Sequence, residues 1–223
     1  RFLPPQQITN MELEKYVYPE NHGALVEAIY DEIYHGHEYD RYFKIQPHDI
    51  VIDCGGFVGL FTNYALSQGA STVITVECEP EYWKCLIKNV KSYDAQVIFG
   101  RVFQDDIPTT NPDVAPSYSI EGIMNLKNLP KVDMVKMDIE GAEWAVLINM
   151  DDDVMKRVDR WAIEVHLEWS QNDTVWAGHG RDFDGHLLSK LVFVMEKFSK
   201  NGFKVNYEQI HKSCRLAMLY AYK

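Results

Sequence analysis

Two carboxylates in this chain each close a short apolar run, with a glycine turn between them. Asp53 follows Ile50, Val51 and Ile52, and Glu77 follows Val73 to Val76. Gly55, Gly56 and Gly59 come after the first, ahead of a segment whose Leu60, Phe61, Tyr64, Ala65 and Leu66 share one side and which Gly69 stops. This layout suits a ligand with a sugar diol. Glycine lets the backbone pass close to it, and a carboxylate at the second strand end accepts from both hydroxyls. A dinucleotide fingerprint, G-x-G-x-x-G, needs glycine where Phe57 stands, and no P-loop lysine follows. The residues therefore point away from phosphates, towards a ribonucleoside with a charged amino-acid tail such as S-adenosylmethionine. An ordinary turn between strand and helix is the other reading of these glycines.

A second acidic group, Asp138, Glu140 and Glu143, follows the run from Val132 to Met137. Carboxylates this close repel one another, and they need a cation, a proton or solvent. Glu140 and Glu143 could instead offset a helix dipole in a first turn. His166 ends an alternation that puts it with Glu164 on one side and Ile163, Val165 and Leu167 on the other. It reads either as a satisfied core histidine or, beside the strand of Asp138, as a functional one. No histidine–carboxylate set stands at ligand spacing, so no metal site is expected, although clustered carboxylates would suit Mg²⁺ in a metal-assisted variant. His35-Gly36-His37-Glu38 reads as a helix end and a solvated turn.

The elements that must position these groups alternate between strand and helix, as in a doubly wound sheet. Helical spacing runs from Gly23 to His35, and Pro80 opens a helix with Trp83, Leu86, Ile87 and Val90 on one face. A third strand is expected from Ala95 to Val102, with Gln104 after its end facing the ligand crevice. A surface loop is expected over 106–120, where an S-Y-S-I stretch, and after it Leu126 to Leu129, could add minor structure, and a fourth strand from Val132 to Met137, followed by a helix bearing Trp144, Val146, Leu147 and Ile148. Arg160 to Leu167 is the fifth strand. A loop of lid length (170–185), a helix from His186 to Lys200 and strands over 203–209 and 214–220 complete the chain. Residues 1–40 are expected as an N-terminal extension and helix, and 41–223 as the ligand-binding domain.

Composition narrows the class. With 223 residues, 46% of them hydrophobic, the chain is long enough for one substantial core. Lys and Arg total 22 against 33 Asp and Glu, a net charge of −11, which argues against a nucleic-acid footprint. No run of 18 apolar residues and no secretory leader is seen, so no membrane partner is expected. The four cysteines lack a C-x-x-C pair, and Cys54 and Cys78 read as small buried hydrophobes, which favours a reducing, cytoplasmic setting.

The stretches V-I-D-C-G-G-F-V-G-L-F-T, V-E-C-E-P, V-K-M-D-I-E-G-A-E and I-E-V-H resemble the FkbM family of S-adenosylmethionine-dependent methyltransferases. D-I-E-G-A-E is the most specific of them. The resemblance implies a Rossmann-like class I fold, α/β, with a seven-stranded, mostly parallel sheet whose last strand is antiparallel. It implies mostly O-methylation of hydroxyls or carboxyls. Asp53, Gly55 and Gly59 match the family's cofactor turn, Glu77 its ribose carboxylate and Asp138 its fourth-strand acid. Cys78 stands where the family often has proline.

On this reading the cofactor contacts are Asp53, Gly55, Gly56, Gly59, Glu77, Cys78, Gln104 and Asp138. The catalytic candidates are His166 and Asp138, with Glu140 behind them, and His166 would act as base or acceptor-orienting group. Tyr34, Tyr39 and Trp144 could line the substrate side or face the sulfonium. The expected partner is a small-molecule, sugar or peptide natural-product substrate, with fusion to or association with other biosynthetic domains. A nicotinamide-dependent oxidoreductase and a catalytically silent cofactor-binding module are the alternatives.

Overall fold

β1 (Ile50–Cys54) is buried along nearly its whole length, which is why it is a continuous apolar run and not an alternation. It pairs in parallel with β2 (Thr72–Glu77) on one side and with β6 (Val132–Met137) on the other. In a computed structural model of the chain, residues 13–90, 94–111, 114–167, 186–209 and 216–223 are described. β3 (Ala95–Phe99) adds beyond β2, and β7 (Val158–His166) adds beyond β6, both parallel. β9 (Leu216–Tyr222) runs antiparallel between β7 and β8 (Lys204–Gln209), giving seven strands in the order β3-β2-β1-β6-β7-β9-β8. The carboxyl ends of β1, β2, β6 and β7 therefore share one edge, where ligands of open α/β sheets bind.

Helices cover both faces of this sheet. On one face α1 (Gly23–Tyr34) and α2 (Leu60–Ser67) pack Val26, Tyr30, Ile33, Phe61 and Tyr64 against Val51, Val73, Met134 and Tyr220. On the other, α5 (Glu143–Asn149) and α7 (His186–Lys200) pack Trp144, Leu147, Leu191, Val194 and Phe198 against Ile52, Val135, Trp161 and Leu219. α3 (Pro80–Asn89) opens on its proline, which has no N–H to leave unsatisfied. Ahead of α1, both backbone polar groups of Val17 bond the Asn89 side chain at 2.7 Å, tying part of the polar lead-in to α3.

Local expectations change around β3 and at Cys78. The strand expected over 95–102 breaks at Gly100, whose N–H bonds the Glu77 carbonyl before Arg101 turns to Pro116. Arg101 and Val102 (β4) then pair with Ser117 and Tyr118 (β5) in a separate two-stranded sheet. The S-Y-S-I stretch at the end of the 106–120 loop forms β5 and then Ser119, which caps α4 (Ile120–Leu126) by accepting from the Gly122 N–H at 2.9 Å. A further short helix, α6 (Asp152–Lys156), precedes β7. Cys78 is exposed, not buried, because the chain turns outward after Glu77; Cys54 and Cys85 are buried. The expected lid and Cys214 lie outside the described residues. No described helix is long and apolar enough to cross a membrane.

Candidate functional site

The glycine turn after β1 is shaped by the strand beside it. Gly55 has φ +84°, and a Cβ there would overlap the Asp138 carbonyl oxygen, so the backbone passes against the end of β6. Gly56 is buried, and a side chain there would meet Thr75 and Leu86, so this glycine serves helix–sheet packing and not ligand approach. Gly59 N-caps α2 in a left-handed conformation.

Glu77 stands at the mouth of this turn, only 7% exposed. Its Oε2 accepts from the Phe57 N–H at 2.8 Å and its Oε1 from the Glu79 N–H at 2.7 Å. Burial raises its pKa, and those backbone bonds oppose the shift. Each oxygen keeps a lone pair for a further donor. Asp53, by contrast, is fully buried. The register sets it between Thr75 on β2 and Lys136 on β6. Its Oδ2 accepts from the Thr62 hydroxyl at 2.7 Å, and its Oδ1 lies 3.4 Å from Lys136 Nζ. Asp53 supports the turn from beneath and has no open side for a ligand.

Lys136 is the group that local sequence reading missed. It is 4% exposed and donates to the Gly55 carbonyl at 2.7 Å, with Nζ 3.9 Å from Asp138 Oδ2. Burial opposes its charge, but Asp53 and Asp138 outweigh burial and raise its pKa. A lysine inside a strand otherwise apolar apart from Asp133 was the available signal.

Asp138 and Glu164 meet through Tyr39, whose hydroxyl is 3.2 Å from Asp138 Oδ2 and 3.2 Å from Glu164 Oε2. One hydroxyl proton serves one of them at a time. Burial, then Asp138, raises the Glu164 pKa. Behind them Glu38 is pushed up to about 7 by burial and by Glu32.

Glu140 and Gly141 turn the chain out of β6 with φ of 56° and 98°. Glu143, fully buried, accepts from the N–H groups of Ile139 (2.9 Å) and Gly141 (3.2 Å) and folds this turn onto α5. The same Oε1 lies 3.2 Å from His166 Nδ1, while His166 Nε2 lies 3.3 Å from Glu140 Oε2. Trp144 fixes the other side by donating to the His166 carbonyl at 2.9 Å. Burial works against the imidazolium, but hydrogen bonds to Glu140 and Glu143 prevail and raise the pKa to about 11. The base role expected for His166 assumed an ordinary imidazole; the two carboxylates favour its protonated form when no other cation is bound, which suits the orienting role better.

For two further expectations the structure places the residues differently. Gln104 is not at the crevice, because the strand before it ends at Phe99; its Oε1 accepts from Asn149 at 2.8 Å, at the end of α5 opposite Glu143. The sequence ground for expecting no metal was the lack of a clustered donor set, yet ligand atoms of Asp138, Glu140 and His166 lie within 4.8 Å of one another. His37, in contrast, bonds Tyr64 (3.0 Å) and Asp40 (3.2 Å) in a polar network of the fold.

Comparison with known proteins agrees with this geometry. The model of the methyltransferase FkbM domain matches residues 61–205. The human protein named "Probable methyltransferase-like protein 24" is 27% identical over 99 residues, 41% of this chain and only 27% of that relative's length. Among solved structures, a "putative S-adenosylmethionine dependent methyltransferase" from Listeria monocytogenes superposes with a TM-score of 0.52 at 13% identity, over 88% of this chain and 99% of that one. Precorrin-6y C5,15-methyltransferase from Geobacter metallireducens gives 0.50 at 12% identity, over 94% and 96%. These likenesses establish the class I methyltransferase fold. The chain belongs to the FkbM methyltransferase family, and S-adenosylmethionine is its cofactor.

Proposed function

We propose that this FkbM-family methyltransferase methylates an oxygen, and that the oxygen is an uncharged hydroxyl of a small molecule, sugar or peptide natural product. One observation carries the choice. Asp138, Glu140 and Glu164 gather at the strand ends and present mainly hydrogen-bond acceptors, which match a carboxylate poorly. A hydroxyl, in contrast, donates its hydrogen to such groups. The same carboxylates would hold an ammonium, so an amine acceptor is the second reading.

S-adenosylmethionine supplies a methyl group already activated on a positively charged sulfur. The residues present fit it: Glu77 is fixed by two backbone N–H groups and keeps lone pairs for the ribose diol. Lys136 and Asp53 hold the turn from below, and Asp138 closes it from the side. The remaining task of the chain is to hold the acceptor oxygen about 3 Å from the methyl carbon, opposite the sulfur. Asp138 and Tyr39 would orient that oxygen, and Glu164 would take its proton. His166 would keep the Glu140 turn in place through its two carboxylate contacts.

A screen of hydroxyl, carboxyl and amine compounds with labelled methyl donor tests the reading. Label is expected on hydroxyl compounds. Label confined to carboxyl compounds overturns the acceptor assignment, and transfer to nothing at all favours the silent-module alternative.

A further inference from the structure

We infer that the mouth of the site holds a divalent metal ion, bound by Asp138, Glu140 and the Nε2 of His166. Ligand atoms of the three all lie within 4.8 Å of one another. One ion at bond lengths of roughly 2.0–2.3 Å spans such a set. Two donors come from the turn after β6 and the third from the tip of β7, so the ion would tie neighbouring strand ends together.

Acidic groups often crowd together without an ion, and a separate observation, the buried Glu143 carboxylate, supports a metal here. Glu143 is wholly buried, points its carboxylate at His166 Nδ1 from 3.2 Å and leaves its Oε2 without a hydrogen-bond partner. Metal-ligating histidines are oriented in this manner: the far ring nitrogen donates to a carboxylate, which sets the tautomer and frees Nε2 for the ion. Nε2 lies 3.3 Å from Glu140 Oε2; when the ion binds, the proton between them leaves to water. One nitrogen with two carboxylate oxygens suits Mn²⁺ or Zn²⁺ better than Mg²⁺ or Ca²⁺, which favour oxygen alone.

The use of the ion at an acceptor hydroxyl rests on the oxygen-transfer reading. A coordinated hydroxyl gives up its proton more easily, and Glu164, 3.2 Å from the Tyr39 hydroxyl, stands beside it to accept that proton. Binding of the ion does not depend on that reading.

Mn²⁺ is the probe, followed through the paramagnetic resonance signal of the free ion as the full chain is added. One equivalent is expected to bind. The Glu140 side chain is 88% exposed, so Glu140→Gln should fold, and it and His166→Gln are each expected to weaken binding at least about tenfold. Asp152→Asn, in an exposed acidic run, should leave binding unchanged. Absence of bound Mn²⁺ at about 1 mM, or a Glu140→Gln chain that binds like the parent, overturns the proposal; loss in Asp152→Asn alone does so as well. Calorimetry with S-adenosylhomocysteine on the same samples reports the donor site separately. A chain that binds it but not Mn²⁺ refutes the ion alone.

Discussion

The two edges of the sheet handle charge in opposite ways. At the amino ends of the strands, cations and carboxylates are matched. Arg160 pairs with Asp49 at 2.8 Å and donates to the carbonyls of Lys44 and Asp133, Lys131 and Lys223 share Asp159, and Arg157 meets Glu121 and the Leu129 and Pro130 carbonyls. At the carboxyl ends, among the described residues, Asp53, Glu77, Asp138, Glu140, Glu143 and Glu164, with Glu38 beyond them, stand near the cations Lys136 and His166. The first edge is arranged for folding. Among the described residues the second carries a surplus of carboxylates, and burial, together with that surplus, raises the Glu38 and Glu164 pKa values.

If this division is sound, changes at the carboxyl edge should cost function more than stability, and changes at the amino edge the reverse. The largest effect is expected for Glu164→Gln. Loss of a proton acceptor typically lowers turnover about 100- to 10,000-fold, with S-adenosylhomocysteine affinity retained in calorimetry. Turnover within a few fold of the parent would remove Glu164 from the chemistry. Arg160→Met tests the opposite edge. It strands a carboxylate that is 8% exposed, so chemical denaturation should show a loss of about 3 kcal/mol, while cofactor affinity of the folded fraction stays unchanged.

Glu77→Ala should weaken S-adenosylhomocysteine binding by about 1.5–3 kcal/mol, the range for hydrogen bonds to a charged group; equal affinity in a folded variant would exclude Glu77 from the ribose. The smallest effect concerns pH. Glu38 rises from 4.5 to about 7 on folding, so the folded state holds its proton more tightly than the unfolded chain. Its contribution is complete below pH 4.5 and is lost as pH rises through 7. Glu38→Gln is therefore expected to stabilise the protein at pH 8 by about 1–2 kcal/mol, half of what the full shift would give because solvent screens the site, and to change little at pH 4, as thermal melts at the two pH values would read. A stabilisation equal at both would show that packing, not charge, is responsible.

The local pattern was enough for the elements that build the site and for most of the groups at their ends. The apolar runs closed by Asp53, Glu77 and Asp138 are β1, β2 and β6 with those residues at their tips, because a parallel strand buried on both faces leaves its signature in consecutive residues. Pro80 and the glycines of the turn likewise act through bonds to near neighbours in sequence. Partnership across strands is another matter. Lys136 lies beneath Asp53 and Gly55 through a register set over 82 residues of intervening chain, and Tyr39 reaches Asp138 and Glu164 from 99 and 125 positions away. His166 could be placed at a strand end from its alternation, but its charge depends on Glu140 and Glu143, which only the turn after β6 brings to its ring. Gln104 shows the same limit in reverse: its strand looked continuous, and Gly100, packed against Tyr118, ended it. Periodicity reports which face of an element is dry, whereas protonation, ligand geometry and the ends of edge strands are decided by groups that only the folded chain makes neighbours.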